Sequence, residues 1–369
     1  MINIKKNLAN KLNENKILFL SSLVFLFINF IICLFFLENG QRIEYATCQW
    51  DCAWYMGVAQ NGYSEHPIVQ GPLRLGQANW AFFPLYPLLV KFISLIATVS
   101  IHYAGFYVNV FFWLILVMLI YKNNSLIGVQ IDPILFSLFL IVYPLNIWYF
   151  SQYSEAIYGI LLMSSIICLR NKNVYYASFF CFLLSLSRPT GFVITICLAC
   201  WWLCQNYKNK KIMTLKESML LISVAGFGLS LFVLYLFYKT GDGFAFSHIQ
   251  LAWGRQFKIF PIHIIQSLCS FKHLDNVLMA VLGVVLVIWM ALVGRRLSAL
   301  LVGVTIFLAT STGMQSIGRF VFSNPLVMEF FAAFTLTRQV KSRIFIIFFM
   351  IALHYLVVYC WFHGLKNLT

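Results

Sequence analysis

The chain has 369 residues, of which 61% are hydrophobic and only 10% are charged. This much apolar surface cannot be buried in one soluble core, so the composition excludes a soluble globular protein and indicates a polytopic membrane protein. The net charge of +15 would suggest a nucleic-acid partner in a soluble domain. Here the basic residues cluster in short loops between apolar runs, so the charge reports topology, and we expect no nucleic-acid partner.

The N-terminal segment, residues 1–16, is predicted to be a cytoplasmic tail. The apolar run 17–37 that follows is long enough to cross a bilayer as a helix. It is too long for the core of a signal peptide and lacks a small-residue cleavage site, so we expect a membrane anchor that is retained. Positive residues favour the inner side of a membrane, and the tail carries Lys5, Lys6, Lys11 and Lys16.

The whole chain, residues 1–369, is predicted to be one all-α domain with about eleven transmembrane helices. Basic clusters recur between the apolar runs, including one at Lys208, Lys210, Lys211 and Lys216, and their placement in the cytoplasm fixes the alternation. Two long external loops result, 38–101 and 239–275, so we expect function on the external face. After the first helix the spans are predicted near 102–121, 133–150, 153–170, 174–188, 190–206, 217–238, 276–294, 297–312, 320–337 and 343–362.

The segment 81–98 is apolar enough to span but does not fit this alternation. Counting it as a crossing would invert the side of every later basic cluster. Pro84, Pro87 and the central Lys91 also suit a clean crossing poorly. We therefore expect a helix that lies in the membrane interface within the first external loop.

Two of the eleven acidic residues stand out as candidate catalytic groups. Asp51 in "QWDCAWY" and Glu155 in "NIWYFSQYSEAIYG" lie at predicted external helix ends among aromatic residues. A charge at mid-membrane costs roughly 2.5–3.5 kcal/mol on insertion scales, and less at the interface, so it tends to persist for a functional reason. The alternative is that Asp51 caps the following helix while Trp50, Trp54 and Tyr55 form an interfacial aromatic belt. Asp275 is expected only to complement a helix dipole.

Basic residues on the same side favour a phosphate ligand. Arg188, Arg255 and Arg319 fall at external helix ends or loops, and guanidinium groups match phosphate oxygens well. The alternative for each arginine is snorkelling to lipid head groups. His248 and Trp253 lie in the same loop as Arg255 and are candidates to line a sugar site, although a structural role suits each of them equally.

Other chemistry has little support in the sequence. Nucleotide-binding loops and zinc motifs are missing, so we expect neither a cofactor nor a metal. The ten cysteines are scattered, and Cys197, Cys200 and Cys204 lie inside one apolar run, where we expect free cysteines to pack as small hydrophobes. Cys48 and Cys52 flank Asp51, but a spacing of four is poor for a standard disulfide framework, and free thiols are favoured.

Several blocks of sequence resemble a known family. The runs "WDCAWYMGVAQNGY", "AFFPLYPLL", "YFSQYSEAIYGILL", "LSLSRPTGF", "GDGFAFSHIQLAWGRQFKIFP" and "SIGRFVFSNPL" occur in that order over residues 15–340. They look like the bacterial branch of the PIG-V-like mannosyltransferases, relatives of GPI mannosyltransferase II in the GT-C superfamily.

The resemblance implies a membrane glycosyltransferase with an essential Asp and an interface helix in its first external loop, matching Asp51 and 81–98. It also implies a second acidic motif, matching Glu155. The donor would be a polyprenyl-phosphate sugar, mannose by analogy, and the membrane a bacterial inner membrane with the site on its periplasmic face. The acceptor, whether glycan, lipid or protein, is unknown. Alternatives are a flippase or transporter of lipid-linked glycan or lipid phosphate, and an inactive scaffold.

Overall fold

The computed structural model describes residues 2–69, 75–207 and 211–365, so Lys208 and Lys210 of the predicted cytoplasmic cluster lie outside it. Within these ranges the chain is all-α and has no strand, which confirms the predicted fold class. Three short 3-10 turns occur at Asn79–Ala81, Pro144–Asn146 and Ile249–Trp253. The helices are α1 (Ile2–Leu34), α2 (Ile43–Ala46), α3 (Cys52–Asn61), α4 (Leu85–Ala97), α5 (Ile101–Leu126), α6 (Pro133–Ile141), α7 (Ile147–Phe150), α8 (Glu155–Arg170), α9 (Val174–Ser187), α10 (Pro189–Asn206), α11 (Lys211–Thr240), α12 (Ala245–His248), α13 (Ile262–Ser270), α14 (Leu274–Leu292), α15 (Arg296–Thr312), α16 (Ile317–Phe322), α17 (Pro325–Leu336) and α18 (Val340–Phe362).

Five helices in the described part of the chain are long and apolar enough to cross a membrane. Many of their apolar side chains are exposed, as at Leu234 (63%) and Phe237 (61%) on α11. Exposed apolar surface on this scale requires a non-aqueous environment, so the chain is an integral, multi-pass membrane protein. Other predicted spans fall in shorter or less apolar helices, and the number of eleven stays a prediction. The five segments are Leu12–Leu34, Ile101–Leu126, Lys211–Thr240, Leu274–Leu292 and Val340–Phe362.

The segment predicted as one span over 133–150 is broken into two parts bent by 71°. Pro144 has no backbone N–H and its ring disrupts a continuing helix, so the first part ends at Ile141. Asn146 satisfies groups that the break exposes: its amide donates to the carbonyl of Ile141 at 3.1 Å and its oxygen accepts from the Trp113 indole at 2.7 Å. The prediction of one continuous crossing here was wrong.

A second break divides the segment predicted as one span over 320–337. Helix α16 ends before Ser323, and α17 starts at Pro325, a residue that suits the first position of a helix. Asn324 caps α17, because its side chain accepts from the backbone N–H of Leu326 at 3.0 Å. The continuous crossing was therefore also wrong here, and the short helix α16 carries Arg319 at this break.

The predicted interface segment 81–98 contains α4, which packs against α3 and α5. One face of α4 is buried, as at Val90 (0% exposed), and the other is apolar and exposed, as at Leu95 (68%) and Ile96 (66%). Such a two-sided helix is typical of a membrane interface. Its position in the membrane stays a prediction.

Arg188 lies in the turn between α9 and α10, where the backbones of the two helices approach each other closely. Arg188 precedes a proline and is extended, with φ −158° and ψ 152°. Three residues later, a Cβ on Gly191 would lie 2.1 Å from the carbonyl oxygen of Leu184. Only glycine fits at this contact, so the close approach of α9 and α10 depends on it.

Candidate active site

Helix ends at one end of the bundle enclose a cavity of about 810 Å³. We predict this end to be external. The volume lies within the ~300–1,000 Å³ typical of small-molecule sites. Its wall combines the start of α3, the segments before α8 and α10, the second external loop and parts of α14 to α17. Eight predicted site residues line it: Trp50, Asp51, Tyr55, Glu155, Arg188, Trp253, Arg255 and Arg319.

Arg319 is the centre of an ion cluster in this cavity. Its Nη1 lies 3.1 Å from Oδ2 of Asp51, and its Nε lies 2.7 Å from Oε1 of Glu155. The same Glu155 oxygen lies 2.5 Å from Nη2 of Arg188. The structure thus brings both predicted catalytic carboxylates together with two of the three predicted arginines.

Aromatic rings surround the Arg319 guanidinium. Its central carbon lies 4.9 Å from the ring centres of both Trp148 and Tyr153 and 5.2 Å from that of Phe320. The side chain is only 8% exposed. A guanidinium is planar and more weakly hydrated than an ammonium, and it stacks on aromatic faces, so an arginine suits this buried position where a lysine would not.

Glu155 is almost inaccessible, with 3% exposure, and occupies the first position of α8, where the helix dipole favours a carboxylate. Its partner Arg188 is itself held in place, because Nε donates to the hydroxyl of Ser154 at 2.9 Å. That hydroxyl also lies 2.9 Å from the hydroxyl of Tyr55. Glu155 therefore fixes two arginines and is poorly exposed to a reacting substrate.

Asp51 is much more accessible, with 38% of its side chain exposed. It occupies the residue before α3, but its side chain makes no capping hydrogen bond to that helix. The carboxylate instead pairs with Arg319 inside the cavity. The capping alternative for Asp51 is therefore wrong, because the backbone at this residue is helical (φ −66°, ψ −19°) and not in the extended conformation typical of a cap.

Arg255 differs from the other two arginines of the cavity. Within the described residues it forms no ion pair with a carboxylate. Its Nη2 donates to the carbonyl of Gln315 at 3.3 Å, and its guanidinium lies 5.6 Å from the Phe320 ring. Burial lowers the pKa of Arg255 and the nearby positive charge of Arg319 lowers it further, while the negative charge of Asp51 opposes this shift. Arg255 is thus a half-buried cation whose charge no ion pair in the described chain balances.

Two predicted substrate-binding residues do not line the cavity. Trp54 packs against two residues that do, with ring centres 5.9 Å from Phe82 and 5.7 Å from Trp253. His248 is exposed, and its Nδ1 lies 2.6 Å from Oδ2 of Asp242, an interaction that lowers the pKa of that carboxyl. Trp54 therefore lies behind the residues that line the cavity. A role of His248 in substrate binding stays a prediction.

Some residues of the cavity were not predicted to be site residues from the sequence. The hydroxyl of Tyr153 forms hydrogen bonds with the backbone of both Gln49 and Asp51. The feature of the sequence that could have indicated Tyr153 is its position in the same aromatic run as Glu155. Asp275 and its neighbours His273 and Asn276 also line the cavity. The position of Asp275 at the start of a helix explains the residue locally, and packing of α14 against α15 and α16 brings it to the site.

Cys48 and Cys52 form a disulfide, so the preference for free thiols was wrong. A spacing of four suffices because a turn between them brings their Cα atoms to 5.1 Å, within the usual range for a bridge. His102 lies close to both sulfurs. Because the sulfurs are bonded to each other, they are not free thiolate ligands for a metal, and the expectation of a metal-free protein stays a prediction.

No family model matches the chain, and no curated protein matches it. A similar solved structure is the crystal structure of the oligosaccharyltransferase of Archaeoglobus fulgidus in complex with zinc and sulfate, with a TM-score of 0.46 and 11% sequence identity. The likeness covers 93% of this chain and 53% of that chain, so this chain spans about half the length of the archaeal enzyme. At this level of similarity, function has to be argued from the cavity and its residues.

Proposed function

We propose that the protein is an inverting GT-C glycosyltransferase that moves a sugar, mannose by resemblance to the PIG-V-like family, from a polyprenyl-phosphate donor to an acceptor hydroxyl. The reaction takes place on the external, periplasmic face of a bacterial inner membrane. The observation that carries the proposal is the ion cluster of Asp51, Arg319, Glu155 and Arg188 inside one large cavity of a membrane protein.

Asp51 is the general base in this proposal. It is the more exposed of the two carboxylates in the ion cluster, so an acceptor hydroxyl can reach it. The acceptor oxygen attacks the anomeric carbon while the bond from that carbon to the phosphate oxygen breaks. The proton of the hydroxyl passes to Asp51, and the bonding electrons leave with the phosphate. General base catalysis of this kind contributes roughly 10²–10⁴-fold in rate.

Arg255 is the main cation for the departing phosphate. Arg319 and Arg188 are already paired with carboxylates, whereas Arg255 has no such partner in the described chain. Negative charge grows on the phosphate as the glycosidic bond breaks, so a nearby guanidinium stabilises the transition state more than the ground state. Glu155 acts through the two arginines that it positions.

The prenyl chain of the donor needs an apolar wall. The cavity offers one between α10 and α15, which pack against each other and contribute Val193, Leu308 and Ala309. Trp50, Tyr55 and Trp253 provide aromatic surface for the sugar or the lipid. The acceptor is a hydroxyl compound whose class, glycan, lipid or protein, this site leaves open.

The test is the substitution Asp51→Asn in protein reconstituted into lipid nanodiscs, with polyprenyl-phosphate mannose as the donor probe and lipid, glycan and peptide fractions as acceptors. We expect a loss of at least 100-fold in transfer, with the donor still bound. The matched control is Glu38→Gln, which neutralises an exposed carboxylate of the same external loop and should leave the rate unchanged. Transfer by Asp51→Asn at close to the normal rate would reject the assignment. In sealed proteoliposomes, movement of the donor across the bilayer without transfer would favour a flippase.

A further inference from the structure

The loop that carries Asp51 is closed covalently. The disulfide joins Cys48 to Cys52, with Gln49, Trp50 and Asp51 between them. Asp51 therefore lies inside a five-residue ring, next to the cysteine that begins α3. Cys52 is fully buried, so this end of the ring is fixed to the protein core.

The backbone inside the ring has an unfavourable conformation. Trp50 has φ +44°, in the left-handed region that bulky residues rarely adopt. Its side chain packs edge-on against Trp361, with ring centres 4.8 Å apart, and beside Trp148 at 6.5 Å. Such a backbone conformation persists only where the surrounding structure imposes it. Here the imposed conformation lies next to the proposed base, Asp51.

Hydrogen bonds to one side chain hold the remaining part of the loop. The backbone N–H of Asp51 donates to the hydroxyl of Tyr153 at 3.0 Å. That hydroxyl in turn donates to the carbonyl of Gln49 at 2.7 Å. Tyr153 lies three residues after the end of α7, and its ring centre is 4.9 Å from the central carbon of the Arg319 guanidinium, so it ties the loop to the partner of Asp51.

We propose that the Cys48–Cys52 disulfide is a positioning element for Asp51 and that sugar transfer requires this pair to be oxidised. The inference rests on the proposed function, because Asp51 is the base there. Opening the ring frees the Cys48 side of the loop and lets Trp50 leave the left-handed region. The carboxylate then no longer has a fixed direction toward Arg319.

The chemistry of the switch is a simple thiol exchange. Two electrons and two protons from a dithiol reductant convert the disulfide into two thiols, and the dithiol becomes a cyclic disulfide. Protein disulfides persist in oxidising compartments such as the bacterial periplasm. A bridge beside Asp51 therefore agrees with the external placement that we predict for this loop.

The experiment compares transfer from polyprenyl-phosphate mannose before and after treatment with dithiothreitol. For the unmodified protein we expect kcat to fall at least tenfold on reduction and to recover on reoxidation, with the KM for the donor within twofold. The double variant Cys48→Ala and Cys52→Ala should be equally slow and insensitive to reductant. The control Cys269→Ala removes an exposed free cysteine and should keep both the rate and the sensitivity.

Two further measurements separate this inference from the proposed function, because neither needs sugar transfer. In denatured protein that has not been reduced, eight of the ten cysteines should react with iodoacetamide. Hydrogen exchange at residues 49–61 should become faster after reduction. Ten reactive thiols, unchanged exchange in the reduced protein, or a full transfer rate with the disulfide verifiably open would each overturn the proposal.

Discussion

The clearest energetic prediction concerns Glu155→Gln, which keeps the shape of the side chain and removes its charge. In the folded protein both Arg188 and Arg319 contact one oxygen of this carboxylate, at 2.5 Å and 2.7 Å. The two arginines are 14% and 8% exposed, so water screens these contacts little. Without Glu155, Arg188 loses its ion pair, and Arg319 keeps only the partly exposed Asp51.

The magnitude follows from the burial of both partners. Removing one partner of a buried ion pair costs roughly 3–5 kcal/mol, because it leaves an uncompensated charge away from water. We expect the free energy of unfolding to fall by at least about 3 kcal/mol, since Arg188 has little access to solvent. Sugar transfer should fall as well, because both arginines lose their fixed positions.

The assay is reversible unfolding in mixed detergent micelles, titrated with SDS and followed by tryptophan fluorescence. Glu65→Gln is the matched control, because it makes the same chemical change at an exposed ion pair with Lys239, where Glu65 is 62% exposed. An exposed pair contributes little, so the control should unfold at the same SDS fraction as the unmodified protein. Equal unfolding curves for the two variants would refute the reasoning from burial.

Three other predictions address the phosphate site, the helix packing and the topology. Arg255→Gln should lower kcat/KM for polyprenyl-phosphate mannose at least tenfold, because a charge-assisted contact of ~1.5–3 kcal/mol is lost; an unchanged value would contradict the phosphate role. Gly191→Ala should destabilise the protein by about 1–3 kcal/mol through a backbone clash, whereas Gly226→Ala, whose nearest neighbour atom is 3.5 Å away, should be tolerated; equal effects in detergent unfolding would count against the close packing. A maleimide that cannot cross membranes should label Asn61→Cys in intact cells and Ser125→Cys only after permeabilisation, each above the parent protein; the reverse would invert the topology.

The sequence predicts the ingredients of the site better than it predicts their pairing. The apolar runs predict the spans, and the basic clusters predict which loops are cytoplasmic. Together they place Asp51 and Arg319 at the same end of the molecule. They do not bring together two residues that are 268 positions apart in the chain. That pairing depends on packing between distant helices. The same limit applies to Asp275, whose role at the start of α14 is visible locally while its position in the cavity is not.

The two broken spans show why continuous helices were predicted where none exist. The runs 133–150 and 320–337 are predominantly apolar, so their mean hydropathy predicts a span in spite of an internal proline in each. Pro144 and Pro325 were the available signals for the breaks. In the folded protein Asn146 and Asn324 compensate the exposed backbone groups, and this compensation is a tertiary feature that apolar periodicity does not reveal.

The balance of charge in the cavity favours one class of donor over another. In the ion cluster the positive charges of Arg319 and Arg188 balance the negative charges of Asp51 and Glu155, so the cluster itself has little attraction for an anion. Arg255 adds one positive charge beside it that no ion pair in the described chain balances. Asp275 also lines the cavity, but its side chain is exposed, so water and salt screen its charge. A sugar linked to a polyprenyl phosphate is a phosphodiester with one negative charge, whereas a diphosphate-linked sugar has two. The one surplus guanidinium matches the single charge of the phosphodiester. The second charge develops only as the phosphate leaves, so its attraction to Arg255 stabilises the transition state more than the bound donor and increases the rate.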